Sequence, residues 1–193
     1  MERLRQTPSQ TVGPFFAYGL TAEQYGYRYD SVIHGSMVGD EVDGKRICIT
    51  GNVFDGKGVA IPDAMIELSQ VDETGRYRLI PVERGDADFI GFGRLGTGTD
   101  AKRRFRFTTL KPGSFNGQAP HINIILFMRG SLRHLYTRLY FSDEQNEHDV
   151  LLNSVDPARK QTLIAQRKEV NGDIEYHFDI HMQGAKETVF FDL

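Results

Sequence analysis

At 193 residues, with 39% hydrophobic and 25% charged side chains, the chain is long enough for one domain to build a full core without staples. A net charge of −3 argues against a nucleic-acid footprint, and a single cysteine, Cys48, excludes an internal disulfide framework and suits a reducing cytoplasm. The opening "MERLRQTPSQT" carries no apolar signal segment and no later run could span a bilayer, so a cytoplasmic protein is expected.

Residues 1–44 hold few alternating runs, and "TPSQTVGPFFAYGL" mixes proline, glycine and aromatics, which predicts an irregular arm lying against another surface. From residue 45 to 193 strands follow one another. "RICITGNVFD" alternates and ends in a turn at "DGKG"; "AMIELSQVD" follows and runs into "ETGRYRLI". "FIGFGRLGTG" reads as an irregular loop. "RFRFTTL" is an alternating strand stopped by Pro112 and Gly113. "HINIILFM" is apolar enough to be central, and "LYTRLYF", "TLIAQRKEV", "IEYHFDIHM" and "TVFFDL" complete the set, with a hairpin turn at Asn171-Gly172. Helical signals are confined to about 143–165, where Asp156-Pro157 has the form of an N-cap and first-turn proline. The pattern predicts an all-β, single-domain sandwich of about eight strands with an N-terminal arm and one or two short helices.

Several candidate chemistries reduce to ordinary structure. The glycines 91, 93, 96 and 98 precede a strand, not the helix that a phosphate cradle needs. His177 and His181 on an extended strand stand about 13 Å apart, too far to share a metal, and read as exposed. Lys102, Arg103, Arg104 and Arg106 read as a solvated strand end, and Cys48, between Ile47 and Ile49, as a structural thiol. "APHINI" is harder to dismiss. His121 and Asn123 share a face at i and i+2, and a second histidine there would make a strong metal signature. The residues alone leave open a metal site, a site that has lost its metal, or a polar pair.

The order of "ETGRYR", "DFIGFGR", "FRFTTLKPGSF" and "APHINI", after an early "TVGPFF", resembles the intradiol ring-cleaving dioxygenases, with "GRY", "DPNF-x-G-x-GR", "F-x-T-x-x-PG-x-Y", "HIH" and "T-x-GP-[YF]". The motifs span about residues 7–141, and "YTRLYF" and "HFDIHMQGAKETVFFDL" are similar to the non-iron α chains of heteromeric members. Catalytic members hold Fe(III) with two tyrosines and two histidines. The resemblance puts Tyr77 and His121 at two of those positions, Phe115 without a phenol oxygen at the third, and Asn123 at the fourth. It therefore implies no metal in this chain, with Tyr77 and His121 as remnants hydrogen-bonded to each other, and the Fe(III) in a homologous iron-bearing β chain. Ser69 replaces a tryptophan of the family, Gln118 falls near a catalytic arginine, and the connection from Pro112 to His121 is short.

The same resemblance implies that the arm, through Thr11, Gly13 and Pro14, and Arg129 border the partner's cavity. An arginine fork suits the carboxylate of protocatechuate. The expected activity, exercised only in the heteromer, is cleavage of protocatechuate with O2 between its hydroxyl-bearing carbons to 3-carboxy-cis,cis-muconate. From the residues alone, Arg129 reads as a surface salt bridge. Two other functions compete: a non-catalytic sandwich that binds a small aromatic or another protein, and an autonomous enzyme using Tyr77, His121 and Asn123 on an unusual metal.

Overall fold

The alternating runs become strands in the computed structural model, which describes residues 5–78 and 88–192. Among the described residues there are nine: β1 (Arg46–Phe54), β2 (Met65–Ser69), β3 (Phe92–Gly96), β4 (Arg104–Leu110), β5 (His121–Phe127), β6 (Leu135–Phe141), β7 (Ile164–Val170), β8 (Asp173–His177) and β9 (Ile180–His181). They follow the order β3-β2-β5-β6-β7-β8-β1-β4, with β9 beside β1. The β6–β7 junction is a short parallel pairing, Tyr140 with Ile164 and Phe141 with Ala165. There the sheet turns over into two layers, as the sandwich reading predicts.

The core lies between the layers. Ile66, Leu68, Ile122, Ile124, Leu126, Leu139 and Phe141 come from one, and Ile47, Ile49, Val53, Phe105, Phe107 and Tyr176 from the other. Period-2 alternation produces this arrangement: in β5 the even residues are buried inward while Asn123, Ile125 and Phe127 are only partly covered outside. At about 25 cal/mol per Å² of apolar surface, burying side chains of this size stabilises the fold by about 1.5–3 kcal/mol each before chain entropy. A smaller cluster of Ala119, Tyr140, Leu152, Val155 and Leu163 lies where the helix α2 (Val150–Asn153) meets the outside of β6.

The structure corrects the reading at four places. The glycine-rich segment contains a strand, β3, because it pairs with β2 from Met65↔Gly96 to Ser69↔Phe92. Its inward face needs a glycine: a Cβ on Gly93 would stand 2.7 Å from the Met37 Cγ. "IEYHFDIHM" breaks into β8 and β9, and His177 and His181 are half-buried, not exposed; His177 faces Asp179 at 3.1 Å and His181 stacks on Phe54. "TVFFDL" adds only an isolated bridge between Tyr136 and Phe191. The arm is not wholly irregular, since Pro14–Leu20 forms the helix α1, outside the region expected to be helical. Within that region α2 starts at Asp149, whose side chain caps it, while Asp156 caps a turn before a 3-10 segment.

Other expectations match the observed contacts. Asn171 and Gly172 have φ of 55° and 90°, the left-handed pair of a tight hairpin, between β7 and β8. Arg104 pairs with Asp100, Arg106 with Glu175, and Arg103 donates to the Ala60 carbonyl, so the basic cluster is a paired strand end. Cys48 is buried, and burial pushes its thiol up to about 11 against the opposing charge of Arg106, as befits a structural cysteine. In "ETGRYRLI", Glu73–Arg78 is turn and coil; Leu79 and Ile80 lie outside the described residues.

Candidate functional site

The outer face of β5 carries the residues that the sequence singles out. Its neighbours' register sets Tyr140 opposite His121, and both Arg138 and Ser69 opposite Asn123. These residues meet on one face because each strand alternates and the pairing brings like faces together.

His121 is buried, and its Nδ1 lies 2.7 Å from the Ala119 carbonyl. A carbonyl can only accept, so Nδ1 carries the proton and Nε2 holds the lone pair. Burial is the main cause that lowers the imidazole's pKa; the Ala119 carbonyl opposes it and the charge of Arg138 adds to it. No hydrogen bond joins His121 to Tyr77, contrary to the expected remnant pair. Tyr77 is instead half-exposed, with its ring edge-on to Phe115 at 5.2 Å. The loops bearing these two rings are pressed together: a Cβ on Gly75 would meet the Ser114 carbonyl oxygen at 2.2 Å, so only glycine fits before Arg76-Tyr77.

Arg138 ties the rest together. Its Nε donates to Asn123 Oδ1 at 3.0 Å, and its Nη1 donates to Gln118 Oε1 at 2.7 Å and to the Tyr140 hydroxyl at 3.4 Å. Tyr140 in turn donates to Asp149 Oδ1 at 2.8 Å, and Asp149 accepts the backbone N–H of Ala119 and of Leu152. Burial is the main cause that raises the Tyr140 phenol's pKa, so it stays protonated. Gln118 returns to Phe115 through a backbone turn. The four positions that the resemblance implies as ligands are thus linked by contact: Tyr77 to Phe115, Phe115 to Gln118, Gln118 through Arg138 to Asn123, and His121 beside Tyr140.

These residues do not fit a ferric ion. Phe115 has no donor atom, and the Asn123 amide oxygen already accepts from the Arg138 guanidinium. Among the described residues no three His, Cys, Asp or Glu side chains come together as a metal group.

A second group lies beyond the other end of β5, about 20 Å along the strand from His121. Thr11 bridges there, accepting the Gly130 N–H at 2.8 Å and reaching the Met128 carbonyl at 3.4 Å. Gly13 is the N-cap residue of α1 and Pro14 its first residue, and Phe16 packs on Phe127 at 5.3 Å. Arg129, in the turn held by Thr11, is mostly exposed and pairs through Nε with Asp63. The structure therefore brings Thr11 and Arg129 to one end of β5, with Gly13 and Pro14 next along the arm, and keeps this group apart from the Tyr77–His121 group. Sequence reasoning missed Arg138, Tyr140 and Asp63; alternation in "LYTRLYF" already puts Arg138 and Tyr140 on one face, and was the signal available.

The fold is a two-layer sandwich with His121 and Asn123 on the outer face of β5 and Tyr77 and Phe115 on adjoining loops. The Dioxygenase family matches residues 23–184. The chain is 48% identical over 200 aligned residues, covering 100% of both chains, to the "Protocatechuate 3,4-dioxygenase alpha chain" of Burkholderia cepacia. It is 30% identical to the "Protocatechuate 3,4-dioxygenase beta chain" of the same organism, covering 97% of this chain and 82% of that one. Among solved structures, the dioxygenase domain of a carbohydrate-binding fusion from Streptomyces sp. SirexAA-E superposes with a TM-score of 0.62 at 25% identity, covering 94% of this chain and 100% of that one. The chain belongs to the intradiol dioxygenase family.

Proposed function

We propose that this chain is the non-iron α subunit of a protocatechuate 3,4-dioxygenase, active only with a homologous β chain that binds the Fe(III). The observation that carries the reading is the 48% identity to an α chain along the full length of both proteins. The altered ligand set supports the assignment of the iron to the partner. Ring cleavage then belongs to the partner's ferric site, and this chain binds, orients and encloses the substrate.

In this reading residues 1–44 serve as an arm that packs on the partner, and residues 45–193 form the sandwich. Thr11, Gly13 and Pro14 border the shared cavity, and Arg129 holds the substrate carboxylate. The bond from Arg129 to Asp63 uses Nε, and the outer edge of the guanidinium fork can take a second carboxylate.

The test is co-expression with the neighbouring β chain. A coloured ferric complex that cleaves protocatechuate is expected, with its iron in β alone after the chains are separated. Arg129→Ala in that complex should leave iron and colour intact and weaken protocatechuate by about tenfold to a hundredfold, the loss of a charged hydrogen bond of about 1.5–3 kcal/mol. The loss should fall on KM if the contact is equal in the ground and transition states. Catechol, without a carboxylate, should be nearly indifferent. Equal losses for both substrates would remove the carboxylate role; iron in this chain would overturn the subunit assignment.

A further inference from the structure

We propose that Asp63 is a positioning residue for substrate recognition: it fixes the Arg129 guanidinium so that the outer edge of the fork stays presented to the substrate carboxylate. The inference rests on the reading of Arg129 as the carboxylate contact and deepens it, since preference for a carboxylated ring then depends on an ion pair and not on one arginine.

Register brings the two residues together. The β2–β5 ladder ends at Met65↔Phe127, and two residues further in the same register Asp63 comes opposite Arg129. Burial says which of them is the anchor. The Arg129 side chain is 56% exposed and that of Asp63 only 25%. The backbone around Asp63 is also tied to the core. Thr97, fully buried, donates its hydroxyl to the Ile61 carbonyl at 2.8 Å and accepts the Ala64 N–H at 3.2 Å, while its own N–H donates to the Ala64 carbonyl at 2.9 Å. The atom used then decides what Arg129 has left to offer. Asp63 Oδ2 takes the Nε–H, the one guanidinium nitrogen outside the terminal fork, so Nη1 and Nη2 keep a paired edge for a second carboxylate. Thr11 holds the backbone on either side of Arg129, at the Gly130 N–H and the Met128 carbonyl, so both ends of a long side chain are restrained.

An unrestrained arginine loses rotamer freedom when it grips a ligand; here that ordering is complete before the substrate arrives. A second effect opposes it, because the Asp63 carboxylate repels an incoming carboxylate. The two effects predict opposite signs when Asp63 is removed, and the fixed base beneath Asp63 makes positioning the larger.

The experiment uses the complex co-expressed with β. Asp63→Ala should raise KM for protocatechuate about threefold to tenfold, the ordering cost of one rotamer-rich side chain, with kcat, iron and colour unchanged. Catechol should keep its KM. Asp63→Asn, whose amide oxygen still accepts from Nε, should restore the KM for protocatechuate to the wild-type value or below it. In an Arg129→Ala background Asp63→Ala should add no further loss.

A lower KM for protocatechuate in Asp63→Ala would make Asp63 a competitor of the substrate and overturn the proposal. So would equal losses for protocatechuate and catechol, or an undiminished loss in the Arg129→Ala background. Should Asp63→Ala fail to assemble, Asp63→Ser, too short to reach Nε, is read in its place; failure of both while Arg129→Ala assembles would make Asp63 a residue of the fold alone and overturn the proposal. Unchanged protocatechuate kinetics in Arg129→Ala would overturn the carboxylate reading and this inference with it. A loss in Arg129→Ala with none in Asp63→Ala overturns this inference alone.

Discussion

Asp72 shows how a single carboxylate sets the approach to Tyr77. Its side chain is nearly buried, and Oδ1 accepts from the Thr74 N–H at 2.9 Å, the Thr74 hydroxyl at 2.7 Å and the Arg76 N–H at 3.0 Å, while Oδ2 accepts from Arg78 at 2.6 Å. Burial raises its pKa, but these bonds outweigh burial and hold the group at about 2, against an ordinary 3.8. A depressed folded pKa means that the stabilisation is complete above the unfolded value and is lost as pH falls from 3.8 toward 2. Asp72→Asn should cost about 1–2 kcal/mol at neutral pH, discounted because Arg78 stands half in solvent. In Tm that is about 2–8 °C. The gap between wild type and variant should close on acidification through that window; a constant gap would show that the charge contributes nothing. Residues of this kind define the limit of sequence reading. Motif order alone picks out Tyr77, Phe115, His121 and Asn123 as the ligand positions that the family resemblance implies. Alternation shows that Arg138 shares a face with Tyr140, but not that it bonds Asn123 and Gln118, nor that Arg129 pairs with Asp63, since a cation's partner depends on strand register and on loops that cross from elsewhere.

The helix α1 is seven residues long and its N-cap, Gly13, offers no side-chain cap. Isolated helices shorter than about 12–15 residues are marginal in water, so tertiary contacts must hold it. Phe16 on Phe127 and the Thr11 bridge to Gly130 do so at the front, and Thr21 bonds the Ala17 carbonyl at 2.7 Å at the back. Thr11→Val with Phe16→Ala should release the arm and leave the sandwich folded. Limited proteolysis should then cut the arm several times faster while Tm moves little; unchanged protection would show that other contacts secure it. This dependence also explains what the sequence concealed. "RFRFTTL" and "HINIILF" alternate over their whole length and read directly as strands. "PFFAYGL" has helical form only when β5 supplies a surface for Phe16. β3 hides behind its glycines, because the space that would take a side chain at Gly93 is filled by Met37 from the arm side. In both places a long-range contact overrides the local signal.

At the scale of the molecule, the arm presents aromatic side chains to solvent. Phe15, Tyr29 and Val32 are 79%, 76% and 84% exposed, and Tyr27 is 50% exposed. Tyr18 links this surface, packing on Phe15, Tyr25 and Tyr27 with ring centroids 6.1, 4.6 and 6.3 Å away. Scattered exposed apolar residues are ordinary, but the linked rings of Phe15, Tyr18, Tyr25 and Tyr27 form an aromatic group of the kind that marks an interaction surface. Among the described residues no helix is long and apolar enough to cross a membrane. The chain made alone should therefore self-associate. A net charge of only −3 gives little repulsion against it. Because the contact is apolar, added salt should strengthen the self-association, whereas a contact between charged groups would weaken. Size-exclusion chromatography with light scattering across a concentration series measures both effects. Phe15→Ser, Tyr29→Ser and Val32→Ser together should shift the isolated chain toward monomer without lowering its Tm, since these side chains stand in solvent. The same triple variant should assemble poorly with β, because the surface that drives self-association alone is the one that the partner would bury. A wild-type chain that stays monomeric at high concentration, or a triple variant that pairs with β as well as the wild type does, would detach the aromatic arm from assembly.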